Sequence, residues 1–263
     1  MCLIAFAIAQ HSEYPFVMLT NRDEFFDRPT ASLKAWPTQP IIYAGQDLQA
    51  QGTWLGVNAH GRWAALTNIR HVTDTPGSQS RGGIVTDCLL YDGNLSDYFA
   101  QLKSQQTNYS GFNFVAGEIS SILSREPVAH YFSNRQTDIT SLASGTHALS
   151  NGLMQNEWPK MQKLRTHLTH LIEQNDLSSD QFFSLLENTE KSDLDRLPDT
   201  GLARSAEHRY SSLFVEPFNS SGRLYGTRSS CIIMADQNGQ VHMIEKQHLP
   251  DEPSFKNIQF HLV

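Results

Sequence analysis

The chain has 263 residues, 20 of them basic and 27 acidic, for a formal charge of −7, and three cysteines at positions 2, 88 and 231. Its 39% hydrophobic residues and 14 Phe exclude a disordered chain, and the acidic excess, with no helix-turn-helix, zinc-finger or RNP-like spacing, excludes nucleic-acid binding as its main activity. An odd, widely spaced cysteine set builds neither a disulfide framework nor a C-x-x-C site and suits a reducing compartment.

In chain order, residues 2–9 form an apolar run far below the ~20 residues of a membrane span and lack the basic flank of a signal peptide. Ile4, Phe6 and Ile8 alternate with small residues, which predicts a buried strand. No other segment reaches membrane-spanning length, so a cytoplasmic protein with no transmembrane segment is expected. Residues 16–19 read as a second strand, ending at Thr20-Asn21-Arg22-Asp23-Glu24, and the stretch with Pro29, Pro37 and Pro40 reads as loop. Residues 53–57 and 63–67 flank Ala59-His60-Gly61 as a hairpin. Gly82-Gly83 opens a helical stretch over 84–105, with a break near Gly93-Asn94. Strand-like runs recur at 112–119, 128–132 and 147–150. Met161, Leu164, Leu168, Leu171 and Ile172 keep helical spacing behind Pro159. Ser178-Ser179-Asp180-Gln181 is a capping box, with Leu177 and Phe182 as its staple. A last hairpin joins 229–236 to 241–245 through Asn238-Gly239. Hairpins dominate and no linker is long enough to separate domains, so we expect one α+β domain over 1–263, with antiparallel sheets covered by helices.

Cys2 carries the chemical interest. Methionine aminopeptidase removes Met1 when residue 2 is small, which would put a thiol and a free α-amine on one residue. An amine with a pKa near ~8 can serve as general base for its own side chain. Amide cleavage further needs donors aimed at the oxyanion and a carboxylate for the α-ammonium. Asn21, Asp23, Asn68, Asn151 and Arg228 lie at strand ends or turns where such groups converge. On position alone, Cys2 reads equally as a small hydrophobe packed in a strand.

The motifs M-C-L-I at the start, T-N-R-D-E-F-F-D-R-P-T at 20–30, G-T-W-L-G at 52–56, L-T-N at 66–68, S-R-G-G at 80–83, S-N-G at 150–152 and Y-G-T-R-S-S at 225–230 span the chain. In these the sequence resembles the NRDE family, whose animal members are called transport and Golgi organisation protein 2. That resemblance implies a four-layer αββα fold of the N-terminal nucleophile hydrolase type, and intracellular heme trafficking as the role. A more distant resemblance, to the cholylglycine hydrolase and penicillin V acylase group, implies cleavage of a non-peptide amide. Cys2 then matches the nucleophile, Asp23 the aspartate beside it, Asn68 and Asn151 the amides near the oxyanion site, and Arg228 the late arginine. One position departs: those hydrolases carry Arg-Asn-x-Asp where this chain reads Thr20-Asn21-Arg22-Asp23. In an extended segment Arg22 faces away from Asn21 and Asp23, so the first catalytic arginine is missing or relocated.

Two functions follow. The first, favoured by the whole-chain resemblance, is a carrier of heme or a similar amphipathic metabolite, needing an apolar slot and cations for the propionates. Arg22, Arg28, Arg70, Arg81 and Arg228 supply charge, Ser80-Arg81-Gly82-Gly83 at a helix start suits an anion, and Trp54 is one of four tryptophans able to flank a planar ligand. The second is a cysteine amidohydrolase acting through a Cys2 acyl-enzyme, which requires no cofactor. Both place Cys2, Asn21, Asp23, Asn68, Asn151 and Arg228 around one cleft, with Arg22, Arg81, Gly82, Gly83 and Trp54 as binding residues. No metal motif is present; His167 and His170, at i and i+3, are the nearest approach to one.

Overall fold

The computed structural model describes residues 2–71, 77–249 and 253–263. β1 (Cys2–Ile8) and β2 (Phe16–Phe25) form the first hairpin, and β3 (Thr30–Trp36), β4 (Ile42–Asp47), β5 (Leu55–Asn58) and β6 (Arg62–Asn68) continue as a meander. Helices α1 (Gly82–Leu90) and α2 (Leu95–Ser104) precede β7 (Phe112–Glu118), the short α3 (Ile119–Leu123), β8 (Ala129–Ser133), β9 (Thr140–Ser141) and β10 (Gly145–Leu149). Then come α4 (Pro159–Glu173), α5 (Ser179–Leu186), α6 (Arg204–Arg209), β11 (Phe218–Ser220), β12 (Arg223–Ala235), β13 (Gln240–Gln247) and β14 (Ser254–His261).

Among the described residues the strands form two seven-stranded sheets. One is ordered β10-β1-β2-β12-β13-β14, with β11 paired to β12; the other runs β3-β4-β5-β6-β7-β8-β9. The period of two along β1 sorts its side chains between layers. Ile4, Phe6 and Ile8 face the other sheet, packing with Val57, Trp63 and Val115, and Trp63 lies 5.3 Å from the Phe6 ring and 5.0 Å from Phe16. Leu3, Ala5 and Ala7 face the opposite way, onto Met161, Leu164 and Leu168 of α4 and Phe182 of α5. The outer face of the second sheet packs Ala64, Leu66 and Phe114 against Ile84, Val85 and Leu89 of α1 and Phe99 of α2. The result is the α+β, four-layer αββα sandwich.

Three expectations need correction. β2 does not end at Leu19 but runs through the polar segment to Phe25, because β1 pairs with it as far as Arg22 and β12 as far as Phe25. The stretch read as loop holds β3 and β4; Pro29, Pro37 and Pro40 sit just outside them, where no ladder donor is needed. β14 went unrecognised because Ser254–His261 is an edge strand with mostly solvent-facing polar residues. The helical stretch does break at residues 91–94, where the Asn94 side chain caps α2 by accepting from the Asp97 amide at 2.9 Å.

Candidate functional site

Register places the chemistry. Cys2 is the Cα partner of Arg22 across the β1–β2 ladder, and residues directly opposite in an antiparallel pair project from the same face. Thiol and guanidinium therefore point together into the gap between the sheets, at the end of the sandwich where β1 begins and β6 finishes. A cavity of about 160 Å³ opens there. Cys2, Arg22 and Glu24 form one wall, Arg28, Asp47, Thr53 and Trp54 another, and Leu66, Asn68, Ser80, Arg81 and Gly82 close the rest.

The cavity wall is a fixed charge network. The Arg22 guanidinium donates to Asp47 Oδ2 at 3.1 Å and lies 4.2 Å from the Trp54 ring centroid. Arg28 Nε reaches the same carboxylate oxygen at 2.6 Å. The other oxygen, Oδ1, accepts the Gln49 and Ala50 amides at 3.1 and 3.0 Å. Burial pushes the Asp47 carboxyl up, but its arginines and amides outweigh that and hold it below the usual range. Arg81, anchored on the Gly111 carbonyl at 2.9 Å, adds a third cation. Gly82 starts α1, which has no acidic residue in its first turn, so the helix dipole adds positive potential to the cavity. Burial pushes the Cys2 thiol up, and the cation of Arg22 opposes that. Cys88 and Cys231 are buried, free, and also pushed up by burial.

Asp23 belongs to the other face of β2. Its Oδ1 accepts from Thr227 Oγ1 at 2.7 Å, and it is only 2% exposed. Since Cys2 pairs with Arg22, the Asp23 register lies one step beyond Cys2, on the side of its α-nitrogen. Around it are the buried Lys160 from α4 and the Arg70–Glu207 ion pair. Desolvation drives the Asp23 carboxyl up, with Lys160 the largest opposing charge.

The predicted cleft is thus divided. Cys2, Arg22, Trp54, Asn68, Arg81 and Gly82 line the cavity, whereas Asn21, Asp23, Asn151, Arg228 and Gly83 do not. Asn21 faces the helices, donating to the carbonyls of Leu186 at 2.7 Å and Leu213 at 2.8 Å; it clasps helix α5 to the sheet. Asn151 lies at the junction of the sheets, its Nδ2 donating to the Asn68 carbonyl at 2.9 Å. Arg228 is the extra residue of a β-bulge, between the Thr227↔Asp23 and Ser229↔Arg22 pairs. Its guanidinium donates to the carbonyls of Phe25, Phe26 and Arg28, binding the loop that carries Arg28. The permuted tetrad still puts an arginine beside the thiol, Arg22. Among the described residues no group of three or more His, Cys, Asp or Glu is disposed to hold a metal, and His167 and His170 are exposed on α4.

The family model of Transport and Golgi organisation 2 matches residues 1–250. The chain belongs to that family. Relatives include the Transport and Golgi organization 2 homolog of Mus musculus, 29% identical, with 97% of this chain and 95% of that one covered. The Homo sapiens homolog is 28% identical at the same coverage, and the Drosophila melanogaster protein 25% identical over 94% and 92% of the two chains. Among solved structures, a point mutant of conjugated bile acid hydrolase from Clostridium perfringens superposes with a TM-score of 0.53 and 7% identity, over 99% of this chain and 96% of that one. At that identity the likeness concerns the fold, of the N-terminal nucleophile hydrolase type. No helix among the described residues is long and apolar enough to cross a membrane.

Sequence reasoning missed Glu24, Asp47, Lys160 and Glu207. Glu24 was within reach, because on an extended strand it shares the face of Arg22 at i+2. Asp47, Lys160 and Glu207 carry no local signal; only the tertiary fold buries them.

Proposed function

We propose that this protein is a cysteine hydrolase that cleaves a non-peptide C–N bond of a small polar amide through an acyl-enzyme on Cys2. The observation that carries this reading is the division of labour across β2: Arg22 beside the thiol in the cavity, Asp23 one register step away behind it. With Cys2 as first residue, its α-amine takes the thiol proton, the sulfur attacks the carbonyl carbon, and the amine returns that proton to the leaving nitrogen. Water then attacks the thioester and frees the acid. The cavity accepts a small, polar or anionic acyl end, since its volume is about 160 Å³ and its described walls carry three arginines against two carboxylates. The shared fold with conjugated bile acid hydrolase, an enzyme named for hydrolysis, supports the reading at the level of fold.

Intact mass tests the first requirement: loss of Met1 in the native host is expected, and full retention overturns the mechanism. Incubation of the processed chain with a panel of short acyl amides should add one acyl mass to the Cys2 peptide, absent in Cys2→Ser at matched time.

A heme carrier is the second reading, and a different hollow favours it. Residues including His71, Arg135, Trp158 and Arg196 line a space of about 560 Å³, within the ~300–1,000 Å³ of small-molecule sites, with cations for propionates. The cavity at Cys2 is too small for a porphyrin, and no His lines it among the described residues. Heme added at micromolar protein should shift the Soret band, and Arg196→Ala should weaken that binding; an unchanged spectrum removes this reading.

A further inference from the structure

Lys160 violates three preferences at once. It is 3% exposed, although lysine almost never buries fully without a partner. It stands at the second position of α4, directly after Pro159, where the helix dipole opposes a cation. It also shares a buried pocket with a second cation, Arg70. Stability alone does not account for such a residue, because a buried ion pair rarely outperforms apolar packing.

Its surroundings suggest the reason. Asp23 on β2 and Glu207 on α6, both nearly inaccessible to solvent, act on it electrostatically, as does Arg70 beyond β6, which pairs with Glu207 and lies 4.9 Å from the Trp158 ring at the start of α4. Tyr210 and Tyr225 border the same charges. Arg22 and Glu24 lie across β2, on the cavity face. Two carboxylates and two cations leave the buried cluster balanced. Register places the α-nitrogen of Cys2 beside Asp23, at the edge of this cluster.

We propose that Lys160 is a positioning residue for the proposed nucleophile: buried in the same cluster as Asp23, it offsets the charge of that carboxylate, so that the α-amine of processed Cys2 stays neutral near pH 7 and can accept the thiol proton. This rests on the hydrolase reading. An amine meeting an unopposed buried Asp23 would be held as ammonium, unable to act as a base; one meeting a carboxylate already matched by Lys160 is not. The ammonium of Lys160 is itself pulled down to about 8, chiefly by burial, in line with the cost of placing a further positive charge there. When the thiol gives up its proton, the amine becomes ammonium and the sulfur thiolate, so the pair stays net neutral and no other acceptor is needed.

The test compares chains released from a cleavable fusion directly before Cys2 with chains that keep Met1. Iodoacetamide alkylation of Cys2 is followed by peptide mass spectrometry across pH 5–10. In the released chain, Lys160→Met should raise the midpoint of the rate–pH profile by about 1 pH unit or more, and Lys160→Arg should restore it. Glu207→Gln, which removes a negative charge while preserving shape, should lower the midpoint and serves if Lys160→Met does not fold. In Met1-bearing chains, with no amine on Cys2, these shifts should shrink or vanish. A midpoint unmoved by Lys160→Met and by Glu207→Gln, or moved equally in both chain forms, overturns the proposal while the reactive thiol stands. A released wild-type thiol no faster than the Met1-bearing one overturns the nucleophile reading and the proposal with it.

Discussion

At the scale of single residues, polar side chains here divide by which face of one strand they leave. Asn21 and Asp23 leave β2 toward the helices and Arg22 toward the cavity, so three consecutive residues carry out three tasks. Asn21 reaches further: its Oδ1 lies 2.6 Å from Ser230 Oγ, itself 2.8 Å from His248 Nε2. Burial drives His248 down to about 4 from its ordinary 6.5. Between those values the unfolded chain binds a proton that the folded chain refuses, so this contribution is complete above pH 6.5 and lost as pH falls through about 4. Melting temperature should therefore drop over that window, and His248→Gln should flatten the drop. A slope identical in both proteins would assign the acid sensitivity elsewhere.

At the scale of elements, the cavity depends on how closely α1 approaches the turn after β4. A Cβ on Gly52 would come within 2.1 Å of the Gly82 carbonyl oxygen, a contact that only movement of the backbone relieves. Gly52→Ala should cost at least about 1–3 kcal/mol by urea denaturation and displace the start of α1, slowing Cys2 alkylation as well. Unchanged stability would mean that the turn can step aside. Elements also show what a sequence can reveal. The β1 run, the break before α2 and the cap of α5, where Ser178 accepts the Gln181 amide, were legible because their signals are local. β2 was cut short because Thr20-Asn21-Arg22-Asp23-Glu24 is polar enough to mimic a turn; neighbouring strands, distant in sequence, override that. For the same reason the candidate site was legible only in part: Cys2, Arg22 and Asn68 sit in recognisable motifs, but the facing that separates Asp23 from the cavity depends on a strand extended six residues beyond its predicted end.

At the scale of the molecule, the two sheets differ in origin. The one ending in β9 uses only the continuous segment from Thr30 to Ser141, while the other joins β1 and β2 to strands from β10 onward. Their common core centres on Trp63, which is fully buried against Phe6 and Phe16. Trp63→Ala should cost about 3–5 kcal/mol and lower the melting of both sheets together in far-UV circular dichroism; two separated transitions would show that the sheets fold independently.

That unequal origin also orders events during synthesis. The continuous sheet can pair as it leaves the ribosome, since its contacts are comparatively local. Cys2 has to wait: its carbonyl is held by Ser150, 148 residues downstream, and the strand flanking Asp23 arrives through Thr227, 204 residues away. Until β10 emerges β1 has only its hairpin partner β2, and until β12 emerges β2 lacks its second neighbour, so the first residues remain open to a processing enzyme. On the hydrolase proposal, removal of Met1 therefore belongs to the nascent chain, before the pocket that would use the liberated amine exists.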